Sequence, residues 1–500
     1  MAGKYQSEIR HSAIRDLLTK VKESRYGTYL RRVRLNRVRA FRNEVVDFEF
    51  PVTALIGTNG GGKSTILGAV AIAHKSIRPG LFFPKSSIGD QSMSNWSIGY
   101  EIVDKKKDPH KLVTRSARFK NSKWARDDTS DRPVLYFGII RTVPAVERKE
   151  FKRLATFNYK FDGNRAALNE AVARQVAKIL GKDVSRFQQA DISPNQRFYV
   201  GGDGDISYSE FHFGAGESSI IRMVSEIESM PENGIVLIEE IENGLHPVAV
   251  KRMVEYLIDV AERKSIQSIY TTHSEDALDP LPPEAIWASI DGKVRQGRIS
   301  IEALRAITGR IDQEMAIFVE DQFAKELVEA IIRDDMPSAF DQIGVYAVAG
   351  DGHAHAIHVN HRKNPAVAPL LKSLCILDGN SQKDEDLPNG IIKLPGQVPE
   401  SEVFEFVRSN LASLSMKLAV GLHLSPEKET WVRDQVEDIG LLNRDPHVLF
   451  NQVGQRTGLI PENIVSSAFI SLWLDGNREK AKRISNFIRA ALTAPNDKAA

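Results

Sequence analysis

A glycine-rich run, Gly57-Thr58-Asn59-Gly60-Gly61-Gly62-Lys63-Ser64, fits the spacing G-x-x-x-x-G-K-[ST] and continues into Thr65. Glycines let successive backbone N–H groups turn inward around phosphate oxygens. A helix starting near Lys63 adds the positive end of its dipole. Lys63 can reach the β and γ phosphates, and the Ser64 hydroxyl can ligate Mg²⁺. Further carboxylates and an imidazole follow at suggestive places. The apolar run 235–238 ends in Glu239-Glu240, and a strand's carboxyl end is where ligands bind in parallel α/β sheets. One carboxylate there can hold Mg²⁺ through water, and the next can orient or deprotonate an attacking water. Another apolar run ends in Thr271-Thr272-His273-Ser274, which places an imidazole where a γ-phosphate contact is possible. Gly214-Ala215-Gly216-Glu217 opens a helix and makes a second anion-binding helix start.

These residues need a scaffold that delivers them to one edge. Val52 to Ile56 is apolar throughout, as in a strand buried on both faces, and it feeds the glycine run directly. Ile66, Leu67, Val70 and Ile72 then give a helix its apolar side. Residues 218–273 alternate helix, strand, helix and strand, the pattern of a parallel sheet. The spacing predicts an amphipathic helix within residues 1–27, a first α/β body over 28–290, and an insertion over about 75–205. It predicts a helix over 165–180. A second α/β series runs over 310–400, and a mostly helical region over 400–500.

Composition narrows the classes. At 42% hydrophobic and 26% charged, the chain is expected to be globular rather than disordered or collagen-like. A single cysteine, Cys375, excludes an internal disulfide and a thiolate zinc site, and a reducing, cytoplasmic setting fits it. The opening residues lack the apolar core of a secretory leader, and no apolar run approaches the ~18 residues that span a bilayer. No membrane association is therefore expected. A net charge of +2 means that any basic surface must be local. One such stretch, residues 105–126, interleaves Phe119 and Trp124 with lysine and arginine. It could contact DNA phosphates, with the rings stacking on bases, but a solvated hairpin is the plainer reading.

The motif set resembles an ABC-type P-loop ATPase head of the OLD-like and SMC-like group, over about residues 28–290. The resemblance implies ATP and Mg²⁺ as cofactors. Gly57, Asn59, Gly60, Gly61, Gly62, Lys63, Ser64 and Thr65 would hold the nucleotide. Lys63, Glu240 and His273 would be the catalytic lysine, glutamate and switch histidine. Glu242, Leu245, His246 and Pro247 match the segment that follows the family's second carboxylate motif. Gly214, Ala215, Gly216 and Glu217 fall at the signature motif, which in this family caps the ATP of a second subunit. The active unit would then be a homodimer or higher oligomer with ATP at the interface. Ser64 and Glu239 would hold the metal. Glu239 stands where the family usually has Asp, and Gly214 where it usually has Ser; both fit slow turnover. The spacing from Lys63 to Gly214 leaves no room for a long coiled-coil arm.

In the second α/β series, Glu320 and Asp378 each end an apolar strand, so they could share a Mg²⁺ for phosphodiester cleavage. The pattern resembles a Toprim domain in degenerate form. Asn380 occupies the second Asp position of D-x-D, and Asp321 the usual Gly. Asp384, Glu385 or Asp386 could compensate. His353, His355, His358 and His361 allow a metal site, but a solvated helix face is favoured. Cys375 reads as inert packing. Pro399-Glu400-Ser401-Glu402 reads as a turn into a capped helix.

The whole layout is most similar to the ATPase subunits of Septu-type antiphage systems, which pair with a separate HNH nuclease. The chain is therefore expected to be an ATPase that regulates such a partner. The alternatives are a self-sufficient OLD-family nuclease and an ATP-gated DNA clamp in repair.

Overall fold

The computed structural model of the chain divides into two units, Met1–Gly297 and Arg298–Ala500. Residues 9–494 are described, apart from 87, 89, 91–92, 122, 129, 157–160, 162–164, 194–195, 204–205, 291, 308–312, 349–351, 365–366, 369–370 and 444. The first eight residues of the N-terminal segment, position 310 and the tail beyond Ala494 lie outside the described residues.

The first unit opens with α1 (His11–Lys22), whose Leu17 and Val21 are buried and whose Lys20 and Lys22 complement the helix C-terminus. Next come β1 (Thr28–Val38), β2 (Phe41–Asp47), β3 (Val52–Gly57) and α2 (Lys63–Ala71), then β4 (Trp96–Asp104), β5 (Val113–Lys120), β6 (Lys123–Arg126) and β7 (Val134–Phe137). After three 3-10 turns come β8 (Arg165–Ala167), α3 (Glu170–Leu180), β9 (Gln188–Ser193), β10 (Gln196–Asp203) and β11 (Ile206–Ser209). The unit finishes with α4 (Ala215–Ser229), β12 (Ile235–Ile238), α5 (Pro247–Lys264), β13 (Gln267–Thr271), β14 (Ile286–Ile290) and β15 (Lys293–Gln296).

Three sheets organise these elements. The central one has the order β15-β14-β3-β13-β12-β7, with every strand except β15 parallel. Its inner strands are buried along their whole length, as their unbroken apolar sequences require. An antiparallel sheet, β2-β1-β4-β5-β6, packs its apolar alternation onto α2, with Leu30, Val33, Leu35, Ile98 and Ile102 inside. A smaller sheet, β11-β10-β9-β8, forms a separate layer.

Residues 75–205 are thus not one insertion. β4, β5 and β6 complete the sheet begun by β1, and β7 adds a strand to the central sheet. Long-range strand pairing decides this, and local periodicity does not carry it. The helix expected over 165–180 is shorter. Arg165–Ala167 pairs with β9, and Asn169 caps α3 by accepting from the Ala171 N–H. β15 carries the unit beyond residue 290.

The second unit contains α6 (Ile301–Ile307), β16 (Met315–Val319), α7 (Gln322–Asp335), β17 (Ile343–Ala347), α8 (His353–Lys363), β18 (Lys372–Leu377) and β19 (Ile391–Lys393). Its sheet is parallel throughout, in the order β17-β16-β18-β19. Six helices follow: α9 (Pro399–Ser409), α10 (Leu411–Gly421), α11 (Glu429–Leu442), α12 (Leu449–Arg456), α13 (Glu462–Gly476) and α14 (Arg478–Thr493). Phe323, Phe404, Phe450 and Phe469 form an aromatic knot joining α7, α9, α12 and α13, with Phe323 stacked on Phe450 at 5.0 Å. No helix among the described residues is long and apolar enough to cross a membrane.

The histidines of α8 correct an expectation. His358 and His361 are buried, not on a solvated face. His358 uses Nδ1 with the Ser373 hydroxyl (2.9 Å) and Nε2 with the Asn389 carbonyl (2.8 Å). Its partners come from distant segments, so helix spacing alone could not reveal them. His361 packs against Phe318, and neither ring nitrogen has a hydrogen-bond partner among the described residues. Burial pulls both imidazoles from 6.5 down to about 4. Between those values the unfolded chain binds protons that the fold excludes. Their contribution to stability is therefore complete above pH 6.5, falls as pH drops towards 4, and is constant below. Each histidine steepens that fall by up to about 1.4 kcal/mol per pH unit. His361→Leu should remove one such share and two unsatisfied polar atoms. Amide hydrogen exchange in β18 should then be slower in the variant at pH 5 than in the wild type, with a smaller difference at pH 8. Equal pH dependence in both would contradict it. Cys375 is buried in β18 and its thiol is pushed well up by burial, as inert packing requires.

Candidate functional site

β3 ends at Gly57, and the chain turns through the glycines before α2 begins at Lys63. At two positions a positive φ and a close neighbour together require glycine. Gly57 has φ +149°, and a Cβ there would stand 2.2 Å from the Ser289 carbonyl oxygen. Gly62 has φ +109°, and its Cβ would strike the Phe41 ring at 2.4 Å. Ser289 also donates its hydroxyl to the Gly61 carbonyl at 2.6 Å, bracing the turn from β14. Lys63 is buried and donates to the Gly57 and Thr58 carbonyls at 2.9 and 3.1 Å. Among the described residues it makes no ion pair of its own. Burial pulls its amine down, while Glu240 and Glu242 hold it up. A buried cation with only carbonyl acceptors, inside a cradle closed to side chains, fits a polyphosphate. Asn59, Gly60 and Ser64 are exposed around it, and Thr65 is buried and accepts from Arg39 at 2.9 Å.

β13 lies between β3 and β12, so the three carboxyl ends are side by side. Glu239 and Glu240 follow β12 directly. Glu240 has φ +45°, an unusual conformation for a side chain of its type. Its N–H donates to the Thr271 hydroxyl at 2.8 Å, and its carboxylate accepts from Asn243 at 2.7 Å. Glu242 ties this turn to the next strand end. It accepts from the Thr272 hydroxyl at 2.8 Å and from the His273 N–H at 2.6 Å. Lys63, Glu240, Glu242 and His273 are therefore brought together.

Gly214 caps α4 on a side with nothing within 4 Å of a would-be Cβ. Gly216 instead abuts the loop after Glu242, since a Cβ on it would lie 2.0 Å from the Gly244 carbonyl oxygen. Ala215 starts the helix, and Glu217 pairs with Lys182.

Sequence reasoning missed Arg141, which follows β7. It is buried and donates to the Gly138 carbonyl at 3.1 Å, the Glu239 carbonyl at 2.5 Å and the Glu240 carbonyl at 2.7 Å. Burial pulls its guanidinium down to about 10, with Glu242, Glu240 and Glu239 opposing, so it stays charged at neutral pH. Its own carbonyl accepts from Arg148 at 2.7 Å. Arg148 and Arg222 flank the buried Glu210, at 3.8 and 2.8 Å, and Glu210 also accepts from Ser218 in α4. No local motif marks Arg141, because the Glu239 and Glu240 carbonyls that it holds lie 98 and 99 residues away.

In the second unit, Glu320 and Asp378 end the neighbouring strands β16 and β18. Both are buried, and the Asp378 N–H lies 3.4 Å from Glu320 Oε1. Two of the acidic residues beyond Asn380 have partners within the fold. Glu385 pairs with Arg483 at 2.7 Å, and Asp386 caps the following turn. In the basic stretch 105–126, Phe119 is buried among Trp96, Phe83 and Trp124, and Lys107 pairs with Asp128. Phe119 is not available to stack on bases, because it fills the core under β4.

Residues 32–199 match a family described as "AAA domain", and residues 127–279 one described as "AAA domain, putative AbiEii toxin, Type IV TA system". No curated protein sequence matches the chain. Among solved structures, the chain is similar to an SMC head domain from Thermotoga maritima (13% identity, TM-score 0.35, covering 53% of this chain and 97% of that one). It is similar to an Smc head domain with an extended coiled coil, bound to the C-terminal domain of ScpA, from Pyrococcus furiosus (12%, 0.38, 56% and 98%). A third is the recombination mediator protein RecF with ATP (12%, 0.33, 54% and 99%). Both segments that resemble AAA domains lie in the first unit.

Proposed function

We propose that the chain is the ATP-binding and ATP-hydrolysing regulatory subunit of a prokaryotic antiphage defence complex, controlling a separate HNH-type nuclease. One contrast carries the proposal: a complete set of ATPase side chains accompanies an incomplete metal set. Lys63 would neutralise the β and γ phosphates, and the glycine-loop N–H groups would fix them. Ser64 and Glu239 would hold Mg²⁺, which supplies charge neutralisation on the phosphates when bound. Glu240, set by Thr271 and Asn243, would take the proton of the attacking water. His273, held at its N–H by Glu242, would sense the γ-phosphate. The open N-terminus of α4 at Gly214 supports a role in capping the nucleotide of a second copy. The defence setting draws support from the toxin-antitoxin family matched over residues 127–279.

A second reading, a self-sufficient nuclease, has one observation in its favour: the buried pairing of Glu320 with Asp378 at adjacent strand ends. In a degenerate Toprim-like domain, Asn380 removes an anionic ligand that a hard cation prefers. Supercoiled plasmid incubated with the purified chain and Mg²⁺ or Mn²⁺, with and without ATP, should stay intact. Nicking that disappears in both Glu320→Ala and Asp378→Ala would establish the nuclease and remove the regulatory proposal.

A further inference from the structure

Asp321, Glu400 and His447 take no part in the ATPase site or in the Glu320–Asp378 pair, yet the fold gathers them. Each comes from the start of a different helical segment. Asp321 is the N-cap of α7, Glu400 is the second residue of α9, and His447 sits in the 3-10 turn before α12. One ligand atom from each lies within 4.8 Å of the others. The aromatic knot of Phe323, Phe404 and Phe450 joins these same helices and holds their starts in place.

Glu400 is only 4% exposed. Its Oε1 meets His447 Nδ1 at 2.8 Å, while its Oε2 is buried and without a hydrogen-bond partner among the described residues. A buried carboxylate oxygen with no donor is costly unless a cation faces it. Apart from the His447 imidazole, which pairs with Glu400 when protonated, the charge acting on Glu400 is another carboxylate, Asp321, which spends one oxygen on the Ala324 N–H at 2.8 Å. The three residues line an open cleft of about 540 Å³, together with Glu326 and Glu462. Two acidic oxygens, one imidazole nitrogen and an open side make an unbalanced set that a divalent cation would balance.

We propose that Asp321, Glu400 and His447 bind a first-row transition-metal ion of the zinc class in the second unit. An imidazole ligand suits Zn²⁺ over Mg²⁺ or Ca²⁺, which prefer oxygen throughout. Three protein ligands leave a position for water. Asp321, where the Toprim resemblance expects glycine, acquires a role as a ligand. The inference is independent of the ATPase proposal.

The test is calorimetric titration of the full chain with ZnCl₂, without nucleotide, followed by equilibrium dialysis with metal analysis. One Zn²⁺ per chain should bind, unaffected by millimolar Mg²⁺. Glu400→Gln and His447→Ala should each weaken it by about tenfold or more. His447 is largely exposed, so its removal leaves the fold standing, and an unchanged melting temperature for metal-free His447→Ala would verify this. Zn²⁺ should raise the melting temperature of the wild type and not of the variant. Glu320→Ala should retain the metal. No bound Zn²⁺, or binding lost in Glu320→Ala and kept in His447→Ala, would overturn the proposal.

Discussion

Glu240→Gln is expected to leave ATP binding intact and to lower turnover by about 100-fold or more, whereas Lys63→Ala should lose both. In the proposed site the two side chains would face the same phosphates but act differently. Lys63 is buried within the loop, its amine held by two carbonyls and, among the described residues, by no carboxylate ion pair. Removing it takes away the loop's own cation and leaves the cradle with nothing to neutralise a triphosphate. Glu240 contributes no positive charge, and its backbone is fixed by Thr271 and Arg141 whatever its side chain carries. Glutamine keeps the contact with Asn243 and loses the proton acceptor. ATP should therefore accumulate uncleaved on Glu240→Gln, and the trapped species should sediment as a dimer or larger. Fluorescent-nucleotide titration, phosphate release and sedimentation velocity check the three parts. Turnover by Glu240→Gln at the wild-type rate would exclude this carboxylate as the base.

Arg141→Lys should cost about 2–4 kcal/mol of stability and lower the ATPase rate by about 10- to 100-fold, with the KM for ATP within about twofold. The guanidinium spans two consecutive carbonyls, Glu239 and Glu240, that no single ammonium can reach with the same fork. Those carbonyls belong to a turn whose Glu240 holds a positive φ, which persists only while its surroundings impose it. Loosening the turn moves the base and leaves the phosphate loop on β3 untouched. Arg141 is thus a positioning residue. A purely structural role would lower the melting temperature without separating the rate from KM. Steady-state kinetics at several ATP concentrations, beside thermal unfolding, distinguishes the two.

The phosphate loop was legible because everything it needs is contiguous: a buried strand, a glycine turn and a helix. Glu239, Glu240 and His273 were legible because each ends an apolar run that can only be an inner strand. Met315–Val319 was readable for the same reason. Arg141, Ser289 and Glu210 were not legible. Each acts through partners brought close only when β7, β14 and α4 take their places. The place of β4–β6 is not legible because the pairing of β4 with β1, which brings all three into that sheet, leaves no local trace. The burial of His358 and His361 is not legible in polar spacing, because Ser373 and Asn389, which partner His358, and Phe318, which packs on His361, come from other segments.

The meeting of Gly216 with Gly244 has a mechanical meaning. Backbone touches backbone there, with no room for even a methyl group between them. Side chains absorb small displacements by changing rotamer, but bare peptide planes in contact have no such play. A shift of the α4 start towards that loop would press on the segment after Glu242, whose carboxylate holds the His273 N–H.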